Sequence, residues 1–427
     1  MKTFRPYDPE QLLLLPPAIQ DWLPEGHLAR FLSEVVDELN LSAIEGAYTE
    51  ERGFPPYHPR MMTKVLLYGY CTGTYSSRRL AEKLVDSVAF RYLAAGNRPD
   101  FRTLSDFRKQ HGAALAGLFE QVLRLCRKAG LVKLGRVAVD GTKIKANASK
   151  HKAMSYGRMV KKEAALAQEV QELLDRAEAI DREEDQRYGR DRSGEELPEE
   201  LARRDSRLRK IREAKAALEE EARQKARAEG KDPDQARPAE KAQRNFTDPE
   251  SKIQKTSDGY IQGYNAQLAV DEAHQVIVAQ QVTPSSADVG ELVPILRALR
   301  RKLRRKPKQV LADAGYWSEE NVRYLEKAKI EPFIATRRQK HDESVAPAPR
   351  GRPPAGLTPK ERMQRKLQTK RGRRVFARRK AIVEAPFGQI KQARGFRQFL
   401  RRGLKSVQQE WALIATAHNL LKLRMAW

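Results

Sequence analysis

Twice in this chain a short apolar run stops at an aspartate and then a small residue. Val137-Ala138-Val139 leads into Asp140-Gly141, and Val310-Leu311-Ala312 leads into Asp313-Ala314-Gly315. Such a run reads as a buried strand, and an acid at its end stands at the C-terminal edge of a sheet, where open α/β sheets keep their ligands. Two such strands side by side bring two carboxylates together. Two ionised carboxylates in one partly desolvated place repel, so the place holds a proton or recruits a cation. Mg2+ suits ligands that are all oxygen, and two metals about 3.5–4 Å apart activate an attacking oxygen while stabilising a leaving one. The plainer reading, an Asp that caps the helix after it, serves for either acid alone and leaves the repeat unexplained.

With 427 residues, 40% of them hydrophobic, the chain is long enough for two or three domains and a sizeable core. Its formal charge of +26 calls for a polyanionic partner, nucleic acid before membrane. The excess is concentrated: from Lys360 to Lys405, 17 Lys and Arg stand against Glu361 and Glu384. Cys71 and Cys126 have no metal or redox spacing, which fits a reducing cytoplasm. The first 30 residues carry Asp8, Glu10, Asp21 and Glu25 and no signal-type apolar block, and nowhere do 18 uncharged apolar residues run together. The expectation is a soluble cytoplasmic protein, nucleoid-associated when on DNA.

Residues 1–130 read as helical. Leu28, Phe31, Leu32, Val35, Val36 and Leu39 recur at helical spacing, and Pro59 opens a helix containing Val65, Leu66 and Tyr70. Ser76-Ser-Arg-Arg-Leu80 and Thr103-Leu-Ser-Asp-Phe-Arg108 read as short helices begun by hydroxyl caps. With Arg78, Arg79 and Arg108 near their starts, they suit a helix-turn-helix-like DNA reader, although many all-α domains share the pattern. The first core strand falls in 131–150. From 151 to 258 an antiparallel helical hairpin and a linker are expected. Leu166, Val170, Leu173, Ala177 and Ile180 form one seam, and Leu208, Ile211, Leu218 and Ala222 form the other, across a turn near Gly189, Gly194 and Pro198. A spacer arm and a dimerising or DNA-clamping arm fit it equally. Residues 230–258, with Pro233, Pro238 and Pro249, read as linker.

The sheet resumes over 259–337: a hairpin turning at Asp271-Glu-Ala-His274, a helix with Pro294 in its first turn, the Asp313 strand, a helix capped by Ser318, and the strand Pro332–Ala335. Asp288, in Ser285-Ser-Ala-Asp288, reads as a helix N-cap and is kept out of the catalytic set. A basic loop is expected over 338–375, and two helices over 376–427. The first carries Glu384. The second places Val407, Trp411, Ile414, His418 and Leu421 on one face, so His418 reads as a core histidine.

This order of strand, hairpin, helix, strand, helix, strand and acid-bearing helix is that of the ribonuclease H-like fold, and the chain resembles the bacterial insertion-sequence transposases of the DDE type. The phrases that carry the resemblance are Val139-Asp-Gly-Thr-Lys143, Gly263-Tyr-Asn-Ala-Gln267, Ala312-Asp-Ala-Gly-Tyr316, Glu384-Ala-Pro-Phe-Gly-Gln-Ile-Lys391 with Arg394-Gly-Phe-Arg397, and Ala417-His-Asn-Leu-Leu-Lys-Leu423. One branch of that family has a Tyr, Arg, Glu, Lys signature. Glu384 and Lys391 keep its seven-residue step, whereas Phe376 stands in place of the tyrosine and Arg379 or Lys380 serves as the arginine.

The resemblance implies a mixed α/β chain: a five-stranded ribonuclease H-like core interrupted by the helical hairpin, behind an all-α N-terminal domain. It implies Asp140, Asp313 and Glu384 as catalytic residues and ligands of two Mg2+ ions, for which Mn2+ substitutes. It implies cleavage at transposon ends and joining of the freed 3′-hydroxyl to target DNA, by a homodimer that pairs two ends. Lys391, Arg394, Arg379 and Lys143 are then candidates for phosphate, and Trp317 for base stacking, against the plainer reading of a core or surface Trp beside a turn. A nuclease that cuts without joining and a catalytically silent DNA-binding regulator are the alternatives.

Overall fold

A computed structural model describes residues 18–49, 55–188, 199–256, 259–337, 348–351 and 353–426. The hairpin turn expected at Gly189–Pro198 and the first part of the expected basic loop (338–347) lie outside them, as do the side chains of Leu173, Ala177 and Ile180.

Among the described residues, a 3-10 turn at Ile19–Trp22 is followed by seven α-helices: α1 (Leu28–Glu38), α2 (Ser42–Glu45), α3 (Pro59–Thr72), α4 (Ser77–Asp86), α5 (Val88–Leu93), α6 (Phe101–Gln110) and α7 (Gly112–Lys128). Their caps differ from the expected ones. Ser76 precedes α4 without bonding a backbone N–H through its side chain, and α6 starts two residues before Thr103, on Asp100, whose carboxylate accepts from Thr103 N at 2.7 Å.

Strand β1 (Arg136–Lys145) is followed by β2 (Ala153–Ser155), the long helices α8 (Tyr156–Tyr188) and α9 (Glu199–Ala228), then β3 (Gln243–Asn245) and β4 (Lys252–Thr256). Near their base α8 and α9 bury Met159, Leu166, Leu208, Ile211, Ala214 and Leu218 in a small core of their own. The stretch expected as linker is more ordered than its prolines suggested. β2 and β3 form an antiparallel ladder under the helix pair, and β4 joins the main sheet.

The remaining elements are β5 (Gly259–Asp271), β6 (Ile277–Thr283), α10 (Leu292–Leu303), β7 (Gln309–Ala312), α11 (Glu319–Lys327), β8 (Glu331–Ile334), α12 (Pro359–Gln368), α13 (Lys370–Gly388) and α14 (Leu404–Arg424). α12 and the start of α13 occupy ground expected as loop. Thr358 and Glu361 make a reciprocal capping box at α12, and Thr369 caps α13. α13 runs on into a π-turn over Gln389–Ala393.

Among the described residues the mixed sheet has six strands, where five were expected. Along its width run β5, β1, β7 and β8, with β4 and β6 sharing the outer edge of β5. β1 pairs antiparallel with β5 and parallel with β7, and β7 is parallel to β8. One continuous apolar core takes in this sheet and the N-terminal helices. The joint is α14, buried at every residue from Trp411 to Leu420. On one side Asn419 bonds both backbone groups of Ile277 and Trp411 Nε1 donates to Gln267 O; on the other, the carbonyls of Ala417 and Asn419 accept from the thiols of Cys71 and Cys126. His418, 1% exposed, bonds Gln275 O at 2.9 Å, and burial pulls its pKa down to about 3, as suits a neutral core histidine.

Candidate active site

The parallel ladder between β1 and β7 ends at Val139 opposite Ala312. Asp140 and Asp313 are the next residue on each strand, so the two acids leave the ladder side by side. Asp140 is not the end of its strand, as its sequence had suggested. β1 continues for five more residues against β5, because β5 is long enough to carry it. What stops at Asp140 is the neighbour on the other side, and that opens the edge.

Asp140 Oδ1 accepts from Gly141 N at 2.8 Å, and Oδ2 accepts from Arg379 Nη1 at 2.8 Å. Burial raises the Asp140 carboxyl to about 6; Arg379 works against that rise and the charge of Asp313 adds to it. Asp313 caps the 3-10 turn Ala314–Tyr316, its Oδ1 accepting from Gly315 N at 2.9 Å. The plain cap reading therefore holds for Asp313 as well, at the same position where it faces Asp140.

Arg379 lies on the face of α13 that also buries Val375, Ile382, Val383 and Pro386, so packing aims it at the sheet. Lys391 donates to Thr142 Oγ1 at 3.0 Å, two residues along β1 from Asp140. α13 and its π-turn thus lie over β1 with a cation on either side of the acid. Glu384 is on the same helix but exposed, and among the described residues no three His, Cys, Asp or Glu side chains converge to hold a metal ion. The structure brings Asp140 and Asp313 together and leaves Glu384 outside the pair. The oxygen donors present, two carboxylates side by side at the end of one ladder, fit a hard divalent cation.

Asp288 is the residue that sequence reasoning put in the wrong place. It precedes a 3-10 turn, but its side chain makes no capping bond. Its Oδ1 instead accepts from Asn265 Nδ2 and Gln267 Nε2, both at 2.7 Å, and lies 3.6 Å from Lys143 Nζ. Gln267 Oε1 in turn takes the hydroxyl of Tyr316, which is fully buried. A signal was available: Asn265 and Gln267 alternate along a largely apolar strand, and two buried amides on one face need polar partners inside the protein. Lys143 is part-buried and also donates to Ser286 O at 2.9 Å; burial lowers its pKa against the pull of Asp288.

The remaining basic candidates divide by burial. Arg78 and Arg79 are exposed, Arg78 resting over the Phe101 ring. Arg108 is buried, donating to Tyr75 O and Ser77 Oγ, both at 2.7 Å. Arg394 is also buried, with its guanidinium 3.5 Å from Ile414 O. Both side chains are thus turned into the fold, unlike Arg78 and Arg79. Trp317 is part-buried against the core. The basic run is also partly spent: Lys366 and Arg371 pair with Glu331, and Arg378 with Glu272.

Two family models match the chain: a transposase domain (DUF772) over residues 17–110 and a transposase DDE domain over residues 223–420. Comparison with curated proteins and with solved structures finds no match.

Proposed function

Starting from a chain that is an insertion-sequence DDE transposase, we propose that it cuts DNA at the ends of its element and joins the freed 3′-hydroxyl to a target. The observation that carries this is the pairing of Asp140 with Asp313 at the end of a parallel ladder, under a helix that bears Arg379, Glu384 and Lys391. Asp140, Asp313 and Glu384 would hold divalent cations, Mg2+ or Mn2+. The chemistry such ions supply when bound is acidification of the attacking hydroxyl and offset of charge on the leaving oxygen.

The chain's own groups do the positioning. Arg379 exchanges Asp140 for a backbone phosphate, which frees the acid as DNA arrives. Lys391 and Lys143 neutralise phosphate charge on either side of the edge without reading sequence. Glu384 completes the acid set from α13. At phosphorus, the bond to the attacking oxygen forms as the bond to the leaving oxygen breaks, and no covalent protein intermediate is needed.

In this reading the α1–α7 region presents Arg78 and Arg79 to DNA, the α8–α9 pair clamps DNA or a second subunit, and a homodimer pairs the two ends. No helix among the described residues is long and apolar enough to cross a membrane.

The test is excision from a plasmid that carries the gene with its native flanking DNA, alongside the Asp313→Asn variant and, with purified protein, the omission of Mg2+. Cutting at defined flanking positions that is lost in both controls is the expected result. Tight DNA binding without cutting under any divalent metal would make the chain a regulator instead.

A further inference from the structure

We propose that Gln267 and Tyr316 form a strut that fixes the spacing of Asp140 and Asp313, which makes both of them positioning residues for the acid pair. The proposal rests on reading those acids as the reactive pair, and deepens that reading by assigning what holds them in place.

The backbone ladder does not reach the acids. Its last rung between β1 and β7 joins Val139 to Ala312, and among the described residues no strand pairing links β1 to the β7 side beyond it. Asp140 remains tied to β5, opposite Leu268, whereas Asp313 opens the 3-10 turn Ala314–Tyr316. Something other than the ladder must relate the two, because a catalytic constellation tolerates only about 0.5 Å of play.

The side chain of Gln267 crosses that gap. Gln267 is the ladder partner of Gly141, the residue after Asp140, so its side chain lies along β1 on the face opposite the Asp140 side chain. From β5 it reaches over Gly141: a Cβ on Gly141 would collide with Gln267 Nε2 and stand 2.8 Å from Asn265 Oδ1. Glycine at this position leaves the strut its path. At the far end Tyr316, fully buried and the last residue of the turn that Asp313 caps, donates its hydroxyl to Gln267 Oε1.

Both ends of the strut are anchored. Asp288 Oδ1 accepts from Gln267 Nε2 and from Asn265 Nδ2, both at 2.7 Å. A carboxylate accepts and does not donate, so it turns the N–H of the Gln267 amide towards itself and the carbonyl towards Tyr316. Asn321 Nδ2 donates to Tyr316 O and to Val289 O, both at 2.8 Å, which ties the turn to the residue after Asp288. Gln267 and Tyr316 are fully buried, and a slip of either would leave a buried polar group without its partner.

The experiment starts from a full-length protein carrying Asp140→Cys and Asp313→Cys, and measures the equilibrium constant of the resulting disulfide against glutathione. That constant reads the spacing without metal, DNA or activity. Adjacent strands lie about 4.7–4.9 Å apart and a disulfide spans Cα atoms about 4.4–6.8 Å apart, so the pair should close. The native Cys71 and Cys126 are buried, their thiols pushed up to about 12, and stay out of the exchange. Adding Tyr316→Phe should lower the constant about fivefold or more. Gly141→Ala, which displaces Gln267 and removes no hydrogen-bonding group, should lower it too and serves if Tyr316→Phe does not fold. Tyr264→Phe takes an equally buried hydroxyl from β5, where it donates to Asp248 Oδ1 at 2.7 Å. It should leave the constant within about twofold. Thermal unfolding checks the fold of each variant. With the native acids in place, Tyr316→Phe should slow end cutting at saturating DNA about tenfold or more and leave the half-saturating DNA concentration within about twofold.

An unchanged disulfide constant in folded Tyr316→Phe would overturn the proposal, as would a cysteine pair that stays reduced with the strut intact. An equal fall in Tyr264→Phe would overturn it too, since any lost buried hydroxyl would then do the same. A constant that falls only with the strut, in a chain whose native acids cut no transposon end, would leave this inference standing and remove the functional one.

Discussion

The acids of this protein sit on two kinds of element, and the two behave differently. Asp140 and Asp313 stand on adjacent strands whose register is set by a ladder of backbone hydrogen bonds, so their neighbourhood holds whether or not a ligand is there. Glu384 stands on a helix that touches the sheet through side chains, and it points to solvent while Arg379 from the same helix takes Asp140. Sheet-borne acids are preorganised; a helix-borne acid is placed by whatever draws the helix surface down. Cation binding and DNA cleavage should therefore respond differently to loss of each.

The largest effect expected is on cleavage. Asp140→Asn or Asp313→Asn should reduce end cutting by about a thousandfold or more, since in the proposed reading each acid would be a fixed ligand of the divalent cations. Cutting within tenfold of wild type in either variant would break the comparison at its root. Next, Glu384→Gln should cost cleavage on the order of a hundredfold or more while leaving cation affinity without DNA unchanged. A parallel fall in both quantities would place Glu384 in the preformed set after all.

A smaller change sharpens the contrast. Arg379→Ala removes the cation that occupies Asp140 Oδ2, so divalent affinity of the free protein should rise by roughly tenfold while cleavage falls. Affinity and activity moving in the same direction would rule out an exchange of Arg379 between Asp140 and phosphate. The smallest effect is on stability in EDTA. The Asp140 carboxyl lies at about 6 in the folded protein against an ordinary 3.8, so between those values the native state binds more protons than the unfolded chain. Stability from this group is present below about pH 4 and is lost as pH rises through about 6. Melting curves of wild type and Asp140→Asn should therefore diverge by at most a few degrees across that window, the wild type falling relative to the variant. A constant offset between the curves would deny the raised value.

Much of the sheet was legible because its signals are local. The apolar runs before Asp140 and Asp313, the β5–β6 turn after Asp271 and the Ser318 cap, whose Oγ accepts from Asn321 N at 3.0 Å, each depend on a few consecutive residues. The bases were less legible. Arg78 and Arg108 look alike in sequence, but one is exposed and the other buried beneath Tyr75 and Ser77, because burial depends on what packs over a helix and not on the helix itself. Asp288 shows the same limit: a polar residue before a helical turn reads as a cap until Asn265 and Gln267 arrive from a strand more than 20 residues away.

By itself the sequence determined the main strands and helices of the core, that two apolar runs lead into acids, and that basic charge would be in large excess. Periodicity, capping and charge are written in short windows of residues, which is why they can be read there. Only the tertiary structure decided that β1 outruns β7 so that Asp140 opens an edge in mid-strand, that α14 joins the N-terminal helices and the sheet in one core, and that Asp288 turns inward. Each of those outcomes depends on strand pairing and on contacts between residues tens to hundreds of positions apart, whose partners no local pattern names.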